Sequence, residues 1–168
     1  MGIFHFFKEK LSQSKNPIDE IQKEFIEKSI NTSERLISSF NEDVGYGLDY
    51  SEASLKILDE NILSLFYDNK DHVSPDMKED IIAQAGSYIF EVVRRYYGGK
   101  YYWHDKLNQP ILIVNNSNSQ IKVLAFEEVK KRIEYGNEYN IPSFFKTYSN
   151  VLKKENKVMF DLKNEIIA

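Results

Sequence analysis

Apolar residues recur every three to five positions along much of the first hundred residues, a spacing typical of helices that bury one face. Asn16-Pro17 has the composition of a helix start, because Asn caps free amides and Pro fits the first helical position. A second capping sequence, Asn31 to Glu34, predicts a break in this helix. Another helix is predicted to start at Asp49 to Glu52. Its expected apolar face consists of Leu55, Leu58, Ile62, Leu65 and Phe66.

The clearest helix is predicted to run from Ser74 to about Tyr97. A polar cap followed by Pro75 marks its start, and Gly98-Gly99 marks its end. Its apolar residues cover more than one narrow stripe, which predicts a central helix with neighbours on two sides. Gly86 in its interior costs about 1 kcal/mol relative to Ala, so we expect a close packing contact there.

After the glycines the apolar period changes from 3.6 to 2, which predicts strands at residues 101–104, 110–114 and 120–125. The Asn- and Ser-rich residues 115–119 predict a turn that joins the last two strands into an antiparallel hairpin. Helical spacing returns after Phe126 and again after Pro142. The predicted fold class is α+β: N-terminal helices and a long central helix packed on a small antiparallel sheet of about three strands, with C-terminal helices.

The chain has 168 residues, of which 42% are hydrophobic, and this is enough to bury the core of one domain. We assign residues 16–168 to that single α+β domain and residues 1–15 to an amphipathic N-terminal segment. We expect this segment to pack on the domain or on a partner, with membrane contact the less favoured alternative. No apolar run reaches the roughly 18 residues that a membrane span needs.

The composition argues against several kinds of chemistry. Cysteine is absent, which fits a cytoplasmic protein and excludes thiolate metal sites and disulfides. The three histidines, His5, His72 and His104, are scattered along the chain, so we predict no metal site and no cofactor. The richness in Lys, Asn and Ile indicates a bacterial origin.

The charge is distributed unevenly. The net charge of −4 argues against a dedicated nucleic-acid binder. Residues 1–84 contain 9 Lys and Arg against 17 Asp and Glu, whereas residues 85–168 contain 13 against 9. The acids could pair within the fold with Lys130, Lys131 and Arg132, or they could form an acidic face that attracts a basic partner.

The candidate binding residues lie around the end of the long helix and the first strand. A cluster of aromatic residues beside two arginines can bind a planar or anionic ligand. The alternative is a structural seam between helix and sheet, with Glu91 and Arg95 paired across one helical turn. The candidate residues are Tyr88, Glu91, Arg94, Arg95, Tyr101, Trp103 and His104.

Two segments and the start of the first predicted strand resemble the sequence pattern of a known family. The sequence Leu-Asp-Tyr-Ser-Glu-Ala-Ser-Leu-Lys-Ile-Leu-Asp occupies residues 48–59, Gly-Ser-Tyr-Ile-Phe-Glu-Val-Val-Arg-Arg occupies residues 86–95, and Gly98-Gly99 and Trp103 follow. In order and spacing this is similar to a family of uncharacterised bacterial domains with an LDxSxxSLxxLD helix, a GxYxxEVxxR helix and a Gly-to-Trp strand start. The family brings no established activity. The resemblance implies that five residues belong to one framework: Asp49, Ser54, Asp59, Glu91 and Arg95.

The absence of the standard catalytic motifs favours a protein that is not an enzyme. The leading hypothesis is a non-catalytic bacterial cytoplasmic binding protein whose partner is another protein, in the manner of an immunity protein or antitoxin that binds a toxin. The alternative is a small ligand-binding domain or enzyme with a pocket around Glu91, Arg94, Arg95 and His104. We further predict that Glu91 and Arg95 are partly buried and that Asp59 lies near their helix. The sequence leaves the oligomeric state open.

Overall fold

A computed structural model describes residues 5, 19–42, 45, 47–115 and 120–153. Helix α1 spans Asp19–Phe40 without interruption, so the predicted break at Asn31 to Glu34 is wrong. The physical reason is that Ser33 is buried: its hydroxyl donates to the Ile30 carbonyl at 2.8 Å and also bonds the Tyr50 hydroxyl at 2.7 Å. Apart from His5, the predicted N-terminal segment of residues 1–15 lies outside the described residues.

Helix α2 consists of an α-helical turn Ser54–Ile57, a π-helical stretch Leu58–Leu63 and a further α-helical turn Ser64–Asp68. A π-helical turn contains more residues than an α-helical turn, so it rotates the positions that follow it around the helix axis. As a result Leu63 is buried, whereas Leu65 is 54% exposed. The predicted apolar face is therefore correct at Leu55, Leu58 and Ile62, which are buried, and at Phe66, which packs against the core, and it is wrong at Leu65.

Helix α3 spans Pro75–Tyr97, as predicted. The Ser74 hydroxyl caps it by accepting from the Met77 amide at 3.2 Å, and Gly98 ends it with a φ of 71°. Every residue from Ala83 to Val93 is buried, which confirms a central helix. Gly86 also meets the expectation of close packing, because a Cβ atom there would overlap the ring of Phe126.

The sheet contains β1, Lys100–His104, β2, Gln109–Asn115, and β3, Gln120–Val123. The strands lie in the order β1-β2-β3, and both neighbouring pairs are antiparallel. Helix α4 spans Ala125–Tyr135, a 3-10 turn spans Asn137–Tyr139, and residues 141–153 are helical and are named α5.

One apolar core joins the elements, which confirms the predicted α+β class. It contains Phe25 from α1, Tyr88 from α3, Leu112 from β2, Phe126 from α4 and Phe145 from α5. Within the described part of the chain, no helix combines the length and apolar character that a membrane crossing requires.

Candidate functional site

Glu91 is the centre of a buried polar network at the end of α3. Its side chain has no exposed surface, and Arg94 holds it in a bidentate ion pair. Arg94 Nε donates to Glu91 Oε1 at 3.0 Å, and Arg94 Nη2 donates to Oε2 at 2.7 Å. These bonds raise the pKa of Arg94 above its usual value. The pairing leaves the Glu91 carboxylate neutralised by a cation and shielded from water.

Arg95 is a weaker partner of Glu91 than the sequence predicted. Its Nε lies 3.9 Å from Glu91 Oε2, and its side chain is 44% exposed. The prediction of a partly buried Glu91–Arg95 pair is therefore wrong for Arg95, and Glu91 is buried more completely than expected. The three-residue spacing to Arg94 provides the close contact, and the four-residue spacing to Arg95 provides only a longer one.

Tyr101 of β1 links the network to α1. Its hydroxyl donates to Ser29 Oγ at 3.0 Å and lies 3.4 Å from Glu91 Oε1. Burial, and secondarily the negative charge of Glu91, raise the pKa of Tyr101 far above its usual value. The phenol is therefore held in its neutral form, in which it can donate.

Gln22 of α1 also holds Tyr101, through the backbone. The Tyr101 amide donates to Gln22 Oε1 at 2.8 Å, and Gln22 Nε2 donates to the Tyr101 carbonyl at 3.0 Å. The side-chain amide thus pairs with both backbone groups, as a neighbouring strand would. α1 and β1 are fixed to each other by this contact.

A second aromatic group extends the network to the start of α2. Tyr50 and Tyr88 stack with their ring centroids 4.8 Å apart, and the Arg95 guanidinium lies 3.7 Å from the centroid of Tyr50. The Tyr88 hydroxyl accepts from the Tyr50 amide at 2.9 Å and bonds the Ser54 hydroxyl at 2.6 Å. Burial raises the pKa of both tyrosines. A cavity of about 280 Å³ lies beside this group, and its lining consists of Asp49, Tyr50, Ser51, Arg95 and Tyr96.

The last two candidate residues lie further along β1. Trp103 is partly buried against the core. His104 Nδ1 accepts from the Leu107 amide at 3.2 Å and so stabilises the turn after the strand. Because side chains alternate along a strand, His104 faces the side of the sheet opposite to Tyr101. Contacts therefore link five of the seven predicted residues, namely Tyr88, Glu91, Arg94, Arg95 and Tyr101.

Asp59 belongs to a different network, centred on its pair with Arg132. Arg132 Nε donates to Asp59 Oδ1 at 2.9 Å, and both side chains are buried. The Ile141 amide donates to the same oxygen at 3.0 Å. The pair confirms, for this acid, the alternative that acids of the first half pair within the fold with Lys130, Lys131 or Arg132. The sequence did not indicate which acid would pair with Arg132.

This arrangement favours structural roles for the charged groups. A general base must reach the proton that it removes, and Glu91 has no exposed surface through which a substrate could approach. Among the described residues, no group of three or more His, Asp or Glu side chains could hold a metal ion. Comparisons with protein-family models, curated proteins and solved structures find no match to this chain. The resemblance to the bacterial domain family therefore stays a prediction.

Proposed function

We propose that this chain is a non-catalytic binding protein of the bacterial cytoplasm that recognises another protein, as an immunity protein or antitoxin recognises a toxin. The observation that carries the proposal is an acidic stripe on the outer face of α1. We define the acidic stripe as Glu20, Glu24, Glu27 and Glu34, all of which are exposed.

The spacing of these residues supports one continuous surface. Steps of four, three and seven residues return to the same side of an α-helix. The exposed side chains of Asn31 and Ser38 have the same phase, so polar residues extend the stripe along the helix. α1 is 22 residues long, which corresponds to roughly 33 Å at 1.5 Å per residue.

The four acids of the stripe lie beside three cations of α1, which leaves this helix surface with a small negative excess. Arg35 forms an ion pair with Asp80 of α3 at 3.1 Å, so its charge is shared with an acid outside the stripe. Lys23 and Lys28 flank the stripe on α1. Three acids outside the stripe are used within the fold: Asp59 pairs with Arg132, Glu60 with Lys56, and Asp80 with Arg35. A basic partner surface would gain from this negative excess, mostly through faster association at low salt.

The buried network supports a binding role over an enzymatic one. Glu91 and Tyr101 are an acid and a phenol of the kind that catalytic sites use. Here their polar atoms form hydrogen bonds with each other and with their neighbours in the core. The alternative pocket around Glu91, Arg94, Arg95 and His104 would need Glu91 to reach solvent and His104 to face the same side as Tyr101.

The test is capture of a partner from the native cell at low salt, with the tagged full chain as bait. The stripe variant carries Glu20→Gln, Glu24→Gln, Glu27→Gln and Glu34→Gln. The matched control removes four exposed acids elsewhere, through Glu52→Gln, Glu60→Gln, Asp68→Asn and Asp71→Asn. We expect the unaltered chain and the control to retain the same basic protein and the stripe variant to lose it.

The purified pair then gives the decisive measurement. The association rate should fall steeply as salt rises, and the stripe variant should lack most of that dependence. A partner that binds the stripe variant and the unaltered chain equally well would contradict the proposed surface. The absence of any captured protein at low salt would contradict the proposed function.

A further inference from the structure

A groove lies between α3 and α4, along the half of α3 that precedes the Glu91 network. Its volume is about 490 Å³, within the range of roughly 300–1,000 Å³ that small-molecule sites occupy. Residues 107–109, in the turn between β1 and β2, also contribute to its lining. The apolar part of the lining consists of Pro75, Ile82, Leu107, Phe126 and Ile133.

Gln109 gives this groove a specific chemical feature. Its side chain lines the groove and is 5% exposed, and its Nε2 atom is buried without a hydrogen-bond partner among the described residues. Buried amide donors are nearly always satisfied, because an unsatisfied donor loses its bonds to water without replacement. The terminal torsion of glutamine is soft, so a small rotation can turn this N–H towards an acceptor in the groove.

The charges around the groove indicate the kind of ligand. Lys78 and Lys130 are offset by three carboxylates, those of Glu79, Glu127 and Glu134. Because both signs line the groove, a charged ligand would be attracted by one set and repelled by the other. An uncharged ligand avoids this conflict and can still fill the apolar part.

We propose that this groove binds a small uncharged molecule with an apolar body and a carbonyl oxygen that accepts from Gln109 Nε2. The apolar body would lie against Pro75, Ile82 and Leu107, the apolar lining residues with accessible surface. This site is separate from the acidic stripe on α1 and does not depend on the proposed protein partner.

The test is an NMR titration of the ¹⁵N-labelled full chain with three matched probes. The probes are 3-phenylpropanamide, 3-phenylpropanoate, which replaces the amide by a carboxylate, and propylbenzene, which lacks an acceptor. We expect 3-phenylpropanamide to shift the Gln109 side-chain NH₂ signals saturably and to bind about tenfold more tightly than propylbenzene, the effect of one hydrogen bond. The carboxylate should bind more weakly than the amide.

Two variants and a control connect binding to the groove. Gln109→Leu should remove the difference between 3-phenylpropanamide and propylbenzene while the apolar probe still binds. Leu107→Ala should weaken the binding of both probes. Leu65→Ala makes the same change at an exposed leucine outside the groove and should leave the binding of both unchanged. Leu107 is exposed, so this variant also tests the site if Gln109→Leu does not fold.

Three results would overturn the proposal. They are equal affinity of the unaltered chain for the amide and the hydrocarbon, no saturable shift of the Gln109 NH₂ signals, or tenfold tighter binding of a capped hydrophobic tripeptide than of 3-phenylpropanamide. The last result would assign the groove to a peptide.

Discussion

Asp59 and Arg132 form a buried ion pair although they are 73 positions apart in the chain. Asp59 lies in the π-helical stretch of α2, and Arg132 lies in the last turn of α4. Because Asp59 Oδ1 also accepts from the Ile141 amide, one carboxylate connects α2, α4 and the start of α5. The contact therefore fixes the C-terminal helices against the N-terminal half of the fold.

Removing one partner of this pair should be far more damaging than removing both. We expect Asp59→Ala to lower the free energy of unfolding by about 3–5 kcal/mol, because Arg132 would stay buried without a counter-charge. The double variant Asp59→Leu/Arg132→Met should recover part of that loss. Urea denaturation measures both values. A loss below about 1 kcal/mol for Asp59→Ala would show that the pair contributes little.

The two arginines beside Glu91 should contribute unequally to the free energy of unfolding. Arg94→Ala removes the bidentate partner of a fully buried carboxylate, so we expect a loss of several kcal/mol in the free energy of unfolding. Arg95→Ala should lose less than about 1 kcal/mol, because Arg95 is partly exposed and more distant. Urea denaturation provides the comparison, and equal losses for the two variants would contradict the assigned roles.

The same comparison can be made between a buried acid and an exposed acid. Glu91→Ala should cost about 3–5 kcal/mol. Glu60→Ala removes an exposed acid that lies 3.8 Å from Lys56, and it should change stability by less than about 0.5 kcal/mol. If the two variants are equally stable, Glu91 has no structural role.

Gly86→Ala should destabilise the protein although alanine favours helices by about 1 kcal/mol. The added methyl group would overlap the ring of Phe126, and such overpacking typically costs about 1–3 kcal/mol. Adding Phe126→Leu should relieve the overlap, so the double variant should be more stable than the sum of the single changes predicts. Thermal or urea unfolding of the four proteins gives this coupling. A stabilising Gly86→Ala would show that the ring moves aside without cost.

The stability should fall as pH rises above about 10. Burial raises the pKa of Tyr50, Tyr88 and Tyr101 in the folded state above the usual value of 10.0. Above that pH the unfolded chain releases these protons while the folded chain keeps them, so unfolding is favoured. Below pH 10 both states keep them, and the stabilisation is fully present. Each such group contributes a slope of up to about 1.4 kcal/mol per pH unit.

Urea unfolding at pH 8, 10 and 11 tests this dependence. Tyr101→Phe should be less stable than the unaltered chain at pH 8, by about 0.5–1.5 kcal/mol for the lost hydrogen bond to Ser29. The variant should then lose stability less steeply above pH 10. Tyr135→Phe, at an exposed tyrosine, is the matched control. Parallel curves for Tyr101→Phe and the unaltered chain would contradict a buried neutral phenol.

Local signals were sufficient where the backbone itself needs a particular residue. Ser74 and Pro75 predicted the start of α3, Gly98 predicted its end, and Gly86 predicted a close contact, because each residue type answers a local geometric requirement. The change of period after Gly99 also identified the sheet, because successive side chains of a strand point to opposite faces.

The sequence failed where distant residues decide the outcome. The capping residues around Ser33 resemble a helix start, but tertiary packing gives Ser33 and Tyr50 a shared hydrogen bond inside a continuous helix. The exposure of Leu65 depends on the π-helical stretch, which a constant period of 3.6 residues cannot represent. The choice of Arg94 over Arg95 depends on which side of α3 faces β1, and spacing alone allows either.

The contact between Gln22 and Tyr101 also bears on how copies of this chain meet one another. β1 is an edge strand, and an open edge can pair with the edge of another molecule and start aggregation. The Gln22 side chain occupies the outward amide and carbonyl of Tyr101, so an incoming strand would have to displace α1 before it could pair there. A single glutamine thus protects this end of the sheet from intermolecular pairing, and Gln22→Leu would remove the two hydrogen bonds that an incoming strand would otherwise have to break when it displaces α1.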